Sequence, residues 1–391
     1  MGVFTFILTV LFIPSLPSGA VYPRWALLAI GSTAITLWKE TPIPKPVFWL
    51  LIYLAFMGFM SPDPYGAAAA WLRYLFLLLM FCLGMQMKSL RNVYIGGALG
   101  MAVNSSIVLV QMAGWPLVPS LTANSGLFVN RNPAVEAAAL IVVGLASYRL
   151  WWLIVPIVPT MLAGARAPIA ALGVTAAAYF LNLARGSLPA PLGKDYKFRA
   201  AICLLGATLA AVALSTTNVA AWTSIVERIS VWWDVIPALR PWGYGLGVFE
   251  YLFPTFQEHT DALSIRFDHP HNELLQLLFE LGVIGGLLFL LFWLRVWRSE
   301  VCAEWYVLVA FFVESMLEFP LYMPVTGFIF ALAAGHLFGR SPCVQPVLDH
   351  VRPAVPKGGP GDQSGWVGTV GSTLPPRPVE AHGPGVLGDN L

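Results

Sequence analysis

The chain has 391 residues, 58% of them hydrophobic and only 11% charged, with a formal net charge of +2 and a mean hydropathy of +0.72. Soluble globular domains carry roughly 25% charged residues, so this composition excludes a large water-soluble core and predicts an all-α polytopic membrane protein. No basic cluster exists to follow a phosphate backbone, which excludes a nucleic-acid partner. Cys82, Cys203, Cys302 and Cys343 are too widely spaced for zinc or a disulfide framework and read as packing residues.

A helix needs about 20 apolar residues to cross a bilayer. On that scale apolar runs fall near 2–17, 24–38, 46–61, 71–87, 93–113, 132–148, 150–164, 167–184, 199–217, 270–294, 301–317 and 322–338, which predicts a bundle of about 12 membrane helices. The first two runs and the pair around 150–184 are short for the task. Met1–Leu16 lacks a basic leader and is followed at once by another apolar run, so it reads as a membrane helix and not as a cleaved signal. Three regions result: helices over 1–120, a core over 121–340 with a long loop at 218–269, and a tail over 341–391. Pro and Gly in that tail predict disorder.

Lysine sets the orientation. With the N-terminus in the cytoplasm, alternate loops carry Lys39 and Lys45, Lys88 and Arg91, Arg149, then Arg185, Lys194, Lys197 and Arg199, Arg295 and Arg298, and finally Arg340 and Lys357. Every lysine is then cytoplasmic, as the positive-inside rule prefers. The other side holds Arg24, Arg73, Arg131, Arg166, Arg228, Arg240 and Arg266, with no lysine. Arginine binds phosphate oxygens with a planar fork and keeps its charge in low dielectric. As a set these residues point to an anionic ligand on the external face; singly, each is as well explained by a carboxylate such as Glu227, Asp234 or Glu250, or by lipid headgroups.

Within the external segments, ANSGLFVNRNP ends in Asn132–Pro133, read as a cap and first helical position, with Glu136 one turn inside a span. LAGARAP places Arg166 between two apolar runs, and LEFPLY places Glu318 at the end of another. Glu136 and Glu318 are expected to orient an arginine in preference to acting on substrate. In the long loop, Ile225, Ile229, Trp232 and Trp233 recur at helical spacing opposite Glu227 and Asp234, predicting an amphipathic helix at the interface. GYGLG lacks the lysine and βαβ context of a phosphate loop and reads as a tight turn that lets backbone approach a ligand or a neighbouring helix.

The stretch FDHPHNELLQLLFELGVIGG, Phe267–Gly286, sets histidines, an asparagine and carboxylates on the front of an apolar helix. Pro270 suits a first turn, which would put His271 and Asn272 in that turn. The positive end of a helix dipole there favours a neutral imidazole. Gly282, Gly285 and Gly286 predict close packing against other membrane helices.

His271–Asn272 followed by Gly282-Val283-Ile284-Gly285 resembles the histidine motif of the O-antigen ligase superfamily, which comprises O-antigen ligases, O-antigen polymerases and protein O-oligosaccharyltransferases. The other landmarks follow in that family's order: GLFVNRNP, GARAP where the family often has Ser-Arg-Gly, ERISVWW, GYGLGVFEYLFP, PHNELLQ and LEFPLY. The resemblance covers about residues 125–335. It implies a GT-C-like bundle in the bacterial inner membrane that carries a metal-independent, inverting glycosyltransferase without cofactor on its periplasmic face. His271 would be the catalytic residue, either taking the proton of the acceptor hydroxyl or positioning it, and Arg166 and Arg228 would bind the donor diphosphate. Asn130, Asn132, Glu136, Arg240, Arg266, Asn272 and Glu318 would support them. The donor would be a glycan on a polyprenyl (undecaprenyl) diphosphate. The acceptor is expected to be lipid A-core, in lipopolysaccharide biosynthesis; a growing glycan is one alternative, and a protein such as pilin is another, LEFPLY resembling the protein-directed members. A transporter or flippase of lipid-linked glycan is the rival from another class. Such proteins place binding groups near the midplane in broken helices and show repeats, whereas the polar groups here gather at one face and no repeat is visible.

Overall fold

In lipid, backbone polar groups must be satisfied within the protein, which a helix does by itself. The computed structural model describes residues 1–13, 20–115, 117–118, 121–163, 165–184, 219–258 and 267–340. All of these lie in one compact unit, Met1–Val351; the second, Arg352–Leu391, is outside the described residues, as is the tail expected over 341–391. Among the described residues every regular element is helical and none is a strand. The longer helices are α1 (Gly2–Val10), α2 (Val21–Trp38), α3 (Lys45–Phe59), α4 (Pro64–Gln86), α5 (Arg91–Met112), α6 (Arg131–Ser147), α7 (Arg166–Ala184), α8 (Val219–Ala238), α9 (Glu273–Trp297), α10 (Ala303–Leu317) and α11 (Pro324–Gly339).

Of these, α4, α5 and α9 are long and apolar enough to cross a membrane by length and composition, while α3 and α11 are shorter apolar helices. Of the run expected over 2–17, Gly2–Val10 forms a helix, residues 11–13 follow it without one and 14–17 lie outside the described residues, as does the run expected over 199–217. The short run at 150–164 is built differently from a simple helix. Two 3₁₀ turns, Trp151–Leu153 and Val155–Ile157, lead into the single α-turn Val158–Met161. At one end the Tyr148 hydroxyl accepts from Leu90 N (3.2 Å); at the other, Thr160 Oγ1 meets Ser105 Oγ at 2.7 Å. Leu90, the cap of α5, and Ser105 within it are about 22 Å apart along a helix rising 1.5 Å per residue. A 3₁₀ rise of about 2 Å per residue lets the shorter segment keep pace.

The core joins α6, α10 and α11 to α4 and α5 through residues such as Met80, Tyr94, Leu140, Ile141, Phe311 and Phe328. Helix α11 lies close against α4, where a Cβ at Gly335 would meet Phe81 O at 2.0 Å and one at Gly84 would meet Leu332 O at 2.5 Å. Small residues at these positions allow the backbones to touch.

The charges separate along the bundle. Lys39 and Lys45 flank the α2–α3 turn, Lys88 sits beside the Leu90–Tyr148 contact, and Arg149, Arg295, Arg298 and Arg340 close α6, α9 and α11 at the same end. Arg24, Arg73 and Arg228 lie toward the opposite end, which also carries His271.

Helix α8 confirms an amphipathic element in the long loop but shifts its faces. Val226, Ile229, Trp233 and Ile236 form the exposed apolar stripe, while Trp232 turns inward and donates through Nε1 to Pro270 O at 2.7 Å. Val231 and Val235 pack with Phe249, Phe253, Phe267 and Phe279, which seats the loop on the first turns of α9.

Candidate active site

Helix α9 begins at Glu273, later than expected, because Asn272 is the cap: its side chain accepts from Leu275 N at 3.0 Å. His271 therefore precedes the helix instead of occupying its first turn, with φ +52°. A left-handed non-glycine residue is strained and persists where its surroundings fix it. Here Trp232 holds the preceding carbonyl, and the Asn272 amide donates to Met316 O at 3.1 Å. The imidazole itself is fixed by Glu318, with Nδ1 to Oε2 at 2.8 Å.

Helix α9 is also not continuous. Gly282 has φ +64° and ψ −156°, which splits it into two helical pieces. Carbonyls freed at the break are met by the GYGLG turn: Tyr244 N donates to Phe279 O and Gly245 N to Glu280 O, both at 3.0 Å. The Tyr53 hydroxyl donates to Leu281 O at 3.0 Å, and Val283 N to Pro241 O at 2.9 Å. Cβ atoms at Gly243 and Gly282 would fall within 2.6 Å of each other's strand of backbone. The expected close approach of GYGLG is thus to a helix. The expected role of the α9 glycines changes accordingly, since Gly285 faces Leu277 O and Leu281 of its own helix, and Gly286 faces Leu278.

Glu318 is the hub of the site. It follows α10, which unwinds there into extended backbone, and it is buried at 3% exposure. Its Oε2 accepts from His271; its Oε1 accepts from Arg228 Nη2 and, at 3.4 Å, from Asn132 Nδ2. Arg228 Nη1 donates to Leu317 O at 2.8 Å. Since Nδ1–H points at a carboxylate, Nε2 of His271 carries the lone pair. The arrangement suits a base with a carboxylate to orient it, and the carboxylate is itself held by the Arg228 cation.

Behind it lies a second polar layer. Gln276 donates through Nε2 to Glu280 Oε1 (2.9 Å) and to the Tyr322 hydroxyl, so its Oε1 accepts from His269 Nδ1 at 3.2 Å. His269 lies between Phe319 and Tyr322, tilted against both rings, with centroids 4.4 and 4.0 Å away. Burial pushes its pKa down to about 3, assisted by the nearby Arg73 and His271 charges and partly opposed by Gln276. Glu273 accepts from Leu321 N at 2.9 Å through Oε1.

The other expected residues are placed as follows. Asn130, not Asn132, caps α6, accepting from Asn132 N at 3.0 Å and moving Pro133 into the first turn. Glu136 is buried in α6, with Oε2 lacking a hydrogen-bond partner, and shares an electrostatic neighbourhood with Glu318 and Arg228. Arg166 opens α7; its neighbour Ala165 packs with Ala163 on Val135, which sets it at the level of Glu136. Arg240 is exposed, its guanidinium 4.5 Å from the Tyr244 ring and away from the dyad. Arg266 lies outside the described residues. Arg24 is consumed structurally, donating to Thr9 O (2.7 Å) and Leu127 O (3.3 Å) over the Phe128 ring. Gln276 and Tyr322 were not singled out by sequence, and Arg73 only as one of the seven external arginines; the three come from separate helices and turns.

Among the described residues no cluster of His, Cys, Asp and Glu suits a metal ion. Residues 134–290 match the family model described as O-antigen ligase, a span that includes Glu136, Arg166, Arg228, GYGLG and His271. No curated protein matches the chain. The match over residues 134–290 supports the resemblance to the O-antigen ligase superfamily, and α4, α5 and α9 are long and apolar enough to cross a membrane.

Proposed function

We propose that the chain transfers a glycan from a polyprenyl-diphosphate donor to an acceptor hydroxyl, with lipid A-core as the acceptor, on the periplasmic face of a bacterial inner membrane. The His271–Glu318–Arg228 relay carries the reading. Nε2 of His271 takes the proton of the acceptor hydroxyl as its oxygen attacks the anomeric carbon. The bond from that carbon to the diphosphate breaks, and the diphosphate leaves with the electron pair. Attack opposite the leaving group inverts the anomeric centre. Glu318 stabilises the imidazolium that forms, as the acidic member of a triad does.

Arg228 spends two of its five N–H groups on Glu318 and Leu317 O. Its remaining donors and Arg166 meet the charge of the leaving diphosphate, each charge-assisted bond contributing roughly 1.5–3 kcal/mol. An apolar groove of about 390 Å³ runs along α9 and α10 from Leu274 and Met316 to Trp293 and Trp297. It starts beside Asn272, whose amide bonds Met316 O, and it suits the isoprenoid tail. GT-C-like packing of about 12 helices remains the expected whole.

The test incubates the purified chain with undecaprenyl-diphosphate-linked glycan and, separately, lipid A-core, free glycan chains or pilin. Transfer to lipid A-core is expected, with His271→Ala inactive and Glu318→Gln reduced about 10²-fold or more in kcat. Transfer to another acceptor alone reassigns the acceptor. An His271→Ala enzyme as active as the parent would refute the mechanism, and translocation in liposomes without bond formation would favour a flippase.

A further inference from the structure

Arg73 differs from the other arginines at the His271 end. It sits in the interior of α4, one of the membrane-length helices, where a charged side chain is costly and marks a functional site by default. Arg24 and Arg228 each donate to protein oxygens. Arg73 forms neither a hydrogen bond nor an ion pair with any described residue; its Nη1 is shielded from solvent and without a partner. What holds it is aromatic: its guanidinium lies 3.8 Å from the centroid of the Tyr322 ring and 5.9 Å from that of Trp25. Glu273 and Glu280 act on it through space without pairing.

The stack leads into the site. Tyr322 carries Arg73 and His269, His269 rests on Phe319, and Phe319 carries His271 at 5.0 Å. The Tyr74 hydroxyl, next in the chain, is also shielded and unpartnered, and its electrostatic neighbours are Glu273, Glu280 and Arg73. A guanidinium fixed by a ring and spending no N–H group on a described residue suits a planar, multidentate oxyanion such as phosphate. Its depth in an apolar helix suits a phosphate tethered to a lipid.

We propose that Arg73 is a phosphate-binding residue of the site, its guanidinium seated on Tyr322 and aimed at the diphosphate of the lipid-linked donor. This rests on the donor assigned above and adds a third arginine to Arg166 and Arg228. The two assignments separate in one binding experiment on the full chain in detergent, read by tryptophan fluorescence. Undecaprenyl diphosphate, undecaprenol, inorganic pyrophosphate and phosphatidylglycerol vesicles are titrated in turn. The unmodified chain should prefer undecaprenyl diphosphate to undecaprenol and to the vesicles. Arg73→Gln should raise the Kd for undecaprenyl diphosphate about tenfold or more while leaving undecaprenol binding unchanged, a selectivity loss that a packing defect would not produce. Arg73→Lys, which keeps the charge without the fork, should fall between; if the Gln variant does not fold, an unchanged Kd in the Lys variant overturns the proposal. So does an Arg73→Gln Kd within twofold of the parent, or equal competition by phosphatidylglycerol. Failure of the unmodified chain to prefer the diphosphate to undecaprenol would instead remove the donor assignment itself. Weakening of pyrophosphate binding in the same variant would show that the anion alone engages Arg73.

Discussion

His269 and His271 stand one residue apart, and both donate through Nδ1, the first to an amide oxygen and the second to a carboxylate. That difference divides their chemistry. His269 is buried with a pKa pushed down to about 3, so it stays neutral and positions Gln276 and Tyr322, while His271 has a carboxylate partner that would balance a proton taken in the proposed reaction. The depressed value has a consequence for stability. An unfolded histidine titrates near 6.5, so between that value and about 3 the unfolded chain binds the extra proton. The contribution is whole above about pH 6.5 and is lost as pH falls toward 3, at up to about 1.4 kcal/mol per pH unit. Thermal unfolding in detergent from about pH 4 to 7 should therefore fall less steeply with acid for His269→Phe than for the parent, whatever the offset between them. Parallel curves would show that His269 is not held neutral in the folded chain.

At the scale of elements, the break in α9 fixes where His271 can sit. Pro241 to Gly247 docks on the broken helix through backbone, and Phe279 links it to the aromatic core under α8. A side chain at Gly282 would need a positive φ and would place Cβ 2.3 Å from Pro241 O. Strain at a glycine-only conformation costs about 1–3 kcal/mol, and overpacking about as much again. Gly282→Ala should therefore lower thermal stability markedly and abolish transfer. Gly173→Ala on α7, with open space around it, should be neutral or gain about 0.5–1 kcal/mol. Equal stability of the two variants would argue that the break is not required. Much of this element was legible in the sequence: the polar front of α9, its apolar run and the tightness of GYGLG all follow from residue type and spacing. The break was not, because Gly282, Gly285 and Gly286 are equally suited to helix–helix packing. Nor was the site's wiring. Arg228 and Glu318 are 90 positions apart, and Arg73 reaches Tyr322 across most of the chain; local periodicity carries no information about such pairs.

For the whole molecule, the decisive pattern is the separation of charge along the bundle. The described lysines and the arginines closing α6, α9 and α11 share one end, while the His271–Glu318–Arg228 relay lies toward the other. By the positive-inside rule the lysine end is expected to face the cytoplasm, and the membrane potential and anionic leaflet act in the same sense. In that orientation the proposed diphosphate-linked donor, presented outside the cytoplasm, would meet arginines without competing lysines. Two loop positions test this orientation. Leu121 is 84% exposed in the segment before α6, whose Asn132 contacts Glu318, and Lys88 is exposed between α4 and α5 at the opposite end. With Cys82, Cys203, Cys302 and Cys343 replaced by Ala, a membrane-impermeant maleimide on intact spheroplasts should label Leu121→Cys at once and Lys88→Cys only after permeabilisation. The reverse pattern would turn the bundle over and place His271 on the cytoplasmic side, where a periplasmic acceptor could not reach it.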